Sequence, residues 1–384
     1  MDQRQPTRTA KRSRASLIIL IVLAFLLMAA AIVLAISLPD DGSWQLTANT
    51  AETSAVPLAG FDCTPSEALQ LYPFAGGVLH ITPNGAALLD VNGSESWSSS
   101  LNMASPFLVS QPDMMLVADR DGHAYALFDR EGLVYDGNAT GRIVGMALSP
   151  EGLAALVQDQ LDSTGIVTIL ETGTGNRLYD CHFPESGYVL SVAFSTDSDT
   201  FDVALANTHG SSVFPVIKRF SAAGEEQGQI LPELVDLYPM IVFDPAGRPV
   251  ICSASNLAAL DYGEREPVWQ HAFDRVVQAV TTDSGVLVLA ADAMDSTPGL
   301  YLLDDQGQSR PGPALGEITA GPAVSGKMAV IGSGRQLRII DLTTLKITAE
   351  EMLPDDIIRC AFSGTQAIIV VTRSGVRSLP WPSS

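Results

Sequence analysis

The sequence predicts an all-β fold: a β-propeller of eight (or seven) four-stranded blades, preceded by a single transmembrane α-helix. Three observations carry this expectation. One turn phrase returns at intervals of about 40 residues. Each interval holds several short apolar runs split by Gly, Asp, Asn and Pro. A 23-residue apolar stretch without a charge, Ser16 to Leu38, stands ahead of them. The expected organisation is a basic cytoplasmic tail at 1–15, the span at 16–38, a polar stalk at 39–56 and the propeller at 57–384.

The span comes first. As a helix it would measure roughly 34 Å at about 1.5 Å per residue, enough to cross a hydrocarbon core of about 30 Å with some tilt. A secretory signal has an apolar core of only about 7–15 residues, so an uncleaved anchor is expected over a cleaved leader. Arg4, Arg8, Lys11, Arg12 and Arg14 precede the span, and Pro39-Asp40-Asp41-Gly42 follow it. The positive-inside rule then puts the tail in the cytoplasm and the remainder outside the cell membrane.

The repeat follows. "LLDVNG" places its acid at Asp90, "LFDREG" at Asp129 and "ILETGTG" at Glu171. "AALDYG" places it at Asp261, "LLDDQG" at Asp304 and "IIDLTT" at Asp341. The spacings are 39, 42, 90, 43 and 37. The interval of 90 is two periods, and its missing member falls within Val216–Glu226. A further period reaches Val376–Trp381. Within Arg142–Phe183, "IVGMALS", "LAALVQD", "GIVTILE" and "RLYDCHF" read as four strands with turns between them. Near-continuous apolar runs suit strands covered on both faces.

The acid has a role in the turn. A carboxylate at a strand end accepts bonds from nearby backbone amides, and glycine supplies a positive φ. The large residue after the turn (Trp97, Tyr135, Tyr179, Trp269) is expected to pack between neighbouring sheets. The last unit contains three strands only. Residues near "AGFDCTPSEALQLYPF", Ala59 to Phe74, are expected to supply the missing one and lock the ring.

Composition limits the function. Of 384 residues, 22 are Lys or Arg and 43 are Asp or Glu. Setting aside the five basic residues and Asp2 of the tail leaves 17 against 42, a charge of −25 on the outer part. That excludes nucleic acid as a partner and disfavours adhesion to an anionic surface. Four cysteines (Cys63, Cys181, Cys252, Cys360) match no zinc spacing. Up to two disulfides, one of them Cys63–Cys360, or buried free thiols remain open alternatives.

The segments "FAGGVLHITPNGAALLDVNGSESW", "ASPFLVSQPDMMLVADRDGHAYALFD" and "SGYVLSVAFSTDSD" carry a resemblance. They resemble a bacterial family of unknown function with one N-terminal span and a quinoprotein- or WD40-like propeller outside the membrane. The resemblance implies an envelope propeller and assigns no catalytic residues. Most blades lack the Ala-x-Asp-x-x-Thr-Gly-x-x-x-Trp docking phrase of quinoprotein dehydrogenases, so no quinone and no other cofactor is expected.

Local chemistry is sparse. The glycines at 173–175 and 332–334 sit between short strands with no helix to cradle phosphate, and read as turns. Asp119 to Gly122, "DRDG", opens like a calcium loop but lacks its third acid and distal glutamate. Asp292 and Asp295 are a similar case. His80, His123, His182, His209 and His271 show no metal spacing. No nucleophile elbow or Ser-x-x-Lys motif occurs. No catalytic, cofactor-binding or metal residue is therefore assigned. The reading is a membrane-anchored extracytoplasmic propeller that binds or scaffolds an envelope protein or wall component. An envelope hydrolase or oxidoreductase, using loops over the channel, is the alternative. Three or more converging Asp, His, Glu or Arg side chains at the channel mouth would favour the enzyme; a bland channel would favour binding.

Overall fold

The computed structural model describes residues 59–160, 163–184, 187–209, 211–232, 236–264, 266–293, 296–364 and 367–381. The expected tail, span and stalk lie outside these residues. Among the described residues no helix is long and apolar enough to cross a membrane.

Eight four-stranded antiparallel sheets form the fold, each with strands a to d in simple order. The a strands are Leu71–Phe74, Pro106–Gln111, Arg142–Leu148, Tyr188–Phe194, Met240–Phe243, Arg275–Thr282, Ala320–Ser325 and Ile357–Ser363. From blade 2 round through blade 8 to blade 1 successive a strands touch one another, and they wall a central channel. The count is eight blades.

The core is a ring of eight apolar clusters, one per blade junction. Each sheet is thus covered on both faces. That explains the continuous apolar runs: Gly285–Ala291, "GVLVLAA", is buried at every position. Full burial of a Leu or Val such as Leu287 or Val288 contributes roughly 1.5–3 kcal/mol.

The repeated acids cap the c–d turns. Asp90 Oδ1 accepts the Asn92 and Ser94 amides, both at 2.8 Å. Asp304 Oδ1 accepts those of Gln306 at 3.0 Å and Gln308 at 2.9 Å. In blade 4, where the phrase is missing, Ser221 Oγ accepts the Glu225 amide at 3.2 Å.

The residue after the turn reaches the next blade. Trp97 stacks on Phe128 with ring centroids 5.5 Å apart, and its Nε1 donates to Arg130 O at 3.1 Å. Tyr135, Tyr179 and Trp269 each lie against the c–d turn glycine of the following blade. A Cβ on Gly175, Gly224 or Gly307 would stand 2.5, 2.8 or 2.7 Å from the ring beneath it. These glycines also hold φ of 72°, 87° and 73°, which β-carbons disfavour.

Closure uses the same contact. Ala59–Asp62 forms strand d of blade 8, antiparallel to strand c, Gly375–Pro380. Its Phe61 lies 2.9 Å from where a Cβ on Gly93 of blade 1 would be. Arg377 ties the strand down, donating to Phe61 O at 2.9 Å and to Asp62 Oδ1 at 2.7 Å. The chain then makes a four-residue helix, Pro65–Ala68, with a Thr64/Glu67 capping box. Arg359 of blade 8 donates to the carbonyls of Ala68, Leu69 and Leu71 at that helix's end. So Ala59–Asp62, within the expected segment, completes the last blade as the three-strand count requires, and Leu71–Phe74 opens the first.

Not every junction follows the pattern: strands d of blades 6 and 7, Ser309–Pro311 and Lys346–Met352, carry no aromatic, and between blades 4 and 5 the contact is reversed. Strand d of blade 4, "EQGQI", has no aromatic. There Tyr262 of the blade 5 turn faces Gly228 of blade 4, 3.0 Å from a Cβ placed on it. Ring and glycine have exchanged sides. Tyr262 donates to Asp202 Oδ1 at 2.6 Å, and Arg219 pairs with the same carboxylate at 2.8 Å. Burial, followed by the Asp202 charge, raises the Tyr262 phenol above its ordinary range.

All four cysteines are free thiols. Cys63, Cys181, Cys252 and Cys360 sit in four different junction clusters, so no two are brought together and the Cys63–Cys360 bridge is not formed. Burial pushes the Cys252 and Cys360 thiols up to about 12.

Candidate functional site

Strand a of each blade runs toward the face that carries the a–b and c–d turns. At that face the channel opens into a cavity of about 1330 Å³. Seven blades contribute to its wall, mostly through residues at the end of strand a or in the a–b turn, with blades 4 and 5 giving only Thr196 and Asp244-Pro245. Hydroxyl and amide groups predominate among the polar ones: Ser110, Gln111, Gln278, Thr281, Ser325 and Ser363. Pro73, Pro112, Pro245 and Pro322 stiffen the wall between them.

The a strands are held in place by bonds across the blades. Ile143, Val276 and Ile357 donate their amides to Gly122 O, Ala254 O and Gly334 O of the preceding blades, at 2.7, 2.7 and 2.8 Å. A β-bulge follows each of the three and turns the strand back to its own sheet. Nearer the mouth, Gln111 Nε2 donates to Leu148 O at 3.1 Å, and the Phe243 amide donates to Thr281 Oγ at 2.8 Å. Ser149 and Ser198 join the a–b turns of blades 3 and 4 at 2.7 Å.

Charge at the mouth is largely internally engaged. Asp113 pairs with Arg130 at 2.5 Å, an exposed pair worth little to stability. Asp244 is buried and caps its own turn, accepting the Ala246 and Arg248 amides at 3.0 and 2.9 Å. Its other oxygen accepts Arg248 Nε at 2.7 Å. Asp283 is exposed and makes no hydrogen bond or ion pair with the described residues.

A smaller recess of about 290 Å³ opens beside the mouth, on the blade 2–5 side. Val109, Met146, Val192, Ile241 and Phe243 wall it, and it shares Ser110, Gln111 and Thr281 with the mouth. The site is therefore a wide vestibule of mixed polarity beside a recess whose lining side chains are mostly apolar.

The sequence candidates lie elsewhere. Asp119 Oδ1 accepts the Ser105 amide at 2.7 Å, and Asp121 takes a φ of 59°, so "DRDG" is a plain b–c turn. Asp292 accepts the Tyr301 hydroxyl at 2.6 Å; Asp295 lies outside the described residues. Gly175 is a c–d turn glycine, and Gly332 abuts Ile357. The histidines are spread over blades 1 to 5: His80 bonds Gln70, His123 bonds Ala139 O, His209 bonds Pro184 O, and His271 packs on Phe273. His182 lies 3.8 Å from Asp180. Among the described residues no group of three or more His, Cys, Asp or Glu side chains is placed to hold a metal ion.

The mouth residues escaped sequence reading because each contributing blade supplies only a short group of them, about 40 residues from the next, with no local pattern. Their only signal was position, at the end of the first apolar run in each repeat.

Over residues 53–380 the sequence matches the Family of unknown function (DUF5711). The chain belongs to that family. No curated protein matches it. Solved structures share the propeller. The computationally designed Ika8 protein is 14% identical over 85% of this chain and 99% of its own, with a TM-score of 0.57. Sqt1 from Saccharomyces cerevisiae is 12% identical over 86% and 100%, with a TM-score of 0.61. BamB from Moraxella catarrhalis is 10% identical over 85% and 99%, with a TM-score of 0.53. At such identities the likeness concerns the fold alone.

Proposed function

We propose that this member of the family is a membrane-anchored binding or scaffolding module of the cell envelope, with its ligand seated in the a–b mouth of the channel. The observation that carries the binding role is the vestibule of about 1330 Å³, larger than the roughly 300–1,000 Å³ of ordinary small-molecule sites. Its wall of hydroxyls, amides and prolines suits recognition by many weak hydrogen bonds. The discriminator set by the sequence favours binding over catalysis: the mouth's aspartates and arginines face one another or their own turns, and Asp283 stands by itself. The envelope location rests on the uncharged run of 23 residues at 16–38 behind a basic tail. The ligand is an envelope protein or wall component.

Photo-crosslinking in native membranes tests the reading. A photoreactive residue at Ser363, in the mouth, is expected to give a discrete adduct. The same residue at Ser99, on the outer strand of blade 1, is expected to give none. Adducts of equal yield and identity from both positions would refute the site.

A further inference from the structure

The vestibule and the recess beside it make a composite surface. Building on the binding reading above, we infer that the channel takes an extended peptide segment with one large apolar side chain as its anchor. That side chain fills the recess walled by Val109, Met146, Val192, Ile241 and Phe243, and cationic flanks lie in the mouth.

Size sets the first constraint. The recess, about 290 Å³, falls at the low end of small-molecule sites and has room for a single large side chain. The adjoining vestibule of about 1330 Å³ accommodates several further residues. An apolar anchor in a pocket beside a longer polar track is how hot spots are arranged in peptide recognition.

Chemistry sets the second. The side chains of the recess are apolar except Ser110, Gln111 and Thr281, which separate it from the vestibule, and the rest of its polar surface is backbone. A peptide backbone crossing that border meets hydroxyl and amide groups; a hydrocarbon chain would leave them facing apolar atoms.

Charge sets the third. Of the cations on the described a–b and c–d turns, Arg130 pairs with Asp113 and Arg248 with Asp244, while Lys327 is exposed and in no ion pair with the described residues. Asp283 makes no such pair with the described residues. The turn acids Asp90, Asp261 and Asp304 share this face, on a chain of net charge −21. The field at the mouth favours lysine or arginine beside the anchor and opposes a carboxylate or phosphate headgroup. That separates a peptide from an anionic amphiphile, whose tail alone would suit the recess.

The test uses the full-length protein in nanodiscs and labelled nonapeptides of Gly, Ser and Lys with a central Leu, Phe or Ala. The Leu and Phe peptides are expected to bind. The Ala peptide is expected to bind about ten- to a hundredfold more weakly, from the lost burial of one side chain. Ala147→Phe, which fills the recess, should abolish the difference. Asp283→Asn, on an exposed turn where folding is unaffected, should weaken Lys-flanked peptides about two- to fivefold, and only at low salt. Equal binding of the Leu and Ala peptides would overturn the inference. So would saturable binding of laurate at the recess with no peptide bound. Absence of any peptide binding would also overturn it while leaving the mouth itself to be judged by the Ser363 adduct, which depends on no chosen peptide.

Discussion

The outer and inner layers of the ring are built on opposite plans. At four of the outer junctions one arrangement recurs: a glycine sits in the c–d turn, capped by an acid at Gly93 and Gly307 and by Ser221 at Gly224, and an aromatic from the neighbouring blade packs beneath it. Phe61/Gly93, Tyr135/Gly175, Tyr179/Gly224 and Trp269/Gly307 are copies of one contact. Around the channel most blades offer different residues: Ala75-Gly76, Pro112-Asp113 and Asp244-Pro245 stand at the a–b turns of blades 1, 2 and 5, and only Ser325-Gly326 and Ser363-Gly364 of blades 7 and 8 repeat one another. Repetition serves a ring in which every blade must meet its neighbour in the same way. Variation marks the surface where equivalence confers nothing, and where a particular ligand would be read.

The largest expected effect is at the outer layer. Gly175→Val forces a β-branched residue to a φ of 72° with its Cβ 2.5 Å from the Tyr135 ring. A loss of about 3–5 kcal/mol is expected in denaturant unfolding. A loss under 1 kcal/mol would show that the turn and ring separate at little cost, and the comparison would fail there.

The exchanged junction sharpens the rule. Asp202→Ala strands Arg219 and Tyr262 without their carboxylate, with an expected loss of about 3 kcal/mol. Tyr262→Phe, which keeps the ring over Gly228, should cost only about 1 kcal/mol. If both variants cost only about 1 kcal/mol, the Tyr262 ring packed on Gly228, and not its link to the Asp202–Arg219 pair of blade 4, would hold blades 4 and 5 together.

Turn capping comes next. Asp304→Ala removes the acceptor of two backbone amides and should cost about 1 kcal/mol. Asp90 and Asp341 are held below the usual carboxylate range, chiefly by the amides of Ser94 and Thr344. A lowered carboxylate stabilises the fold above its unfolded pKa and ceases to do so as pH falls through its folded one. The unfolding midpoint should therefore hold steady down to about pH 5 and decline below about pH 4, less steeply in Asp341→Asn.

The smallest effects on stability belong to the channel. Gln278→Ala and Ser325→Ala should shift the unfolding free energy by less than about 0.5 kcal/mol while weakening the Ser363 adduct. A large loss of stability would make the mouth part of the scaffold.

Most of the fold was legible because the outer layer repeats. Asp90, Asp129 and Asp304 announce each c–d turn, and the apolar runs between them are sheets buried on both sides. Even the three-strand remainder pointed to Ala59–Phe74. The exchange at blades 4 and 5 was hidden: Tyr262 stood within an ordinary Asp-Tyr-Gly turn. An aromatic-free strand d in blade 4, followed by a tyrosine in the next turn, was the available signal. The candidate site was illegible for a physical reason. Gln111, Thr281 and Ser363 become neighbours only when the ring closes, and nothing in their own segments distinguishes them from other turn residues. The cysteines mislead in the same way, since their number permits pairing and only the separate junctions forbid it.

Hydrogen exchange of the full-length protein, in native membranes and after purification, tests the division between layers most directly. A ligand in the channel predicts slower exchange in membranes at the a–b turns around Gly76, Asp113, Gly326 and Gly364, and no change at the c–d turns around Gly93, Gly175 and Gly307. Protection confined to the c–d turns, or identical exchange everywhere in both preparations, would contradict it.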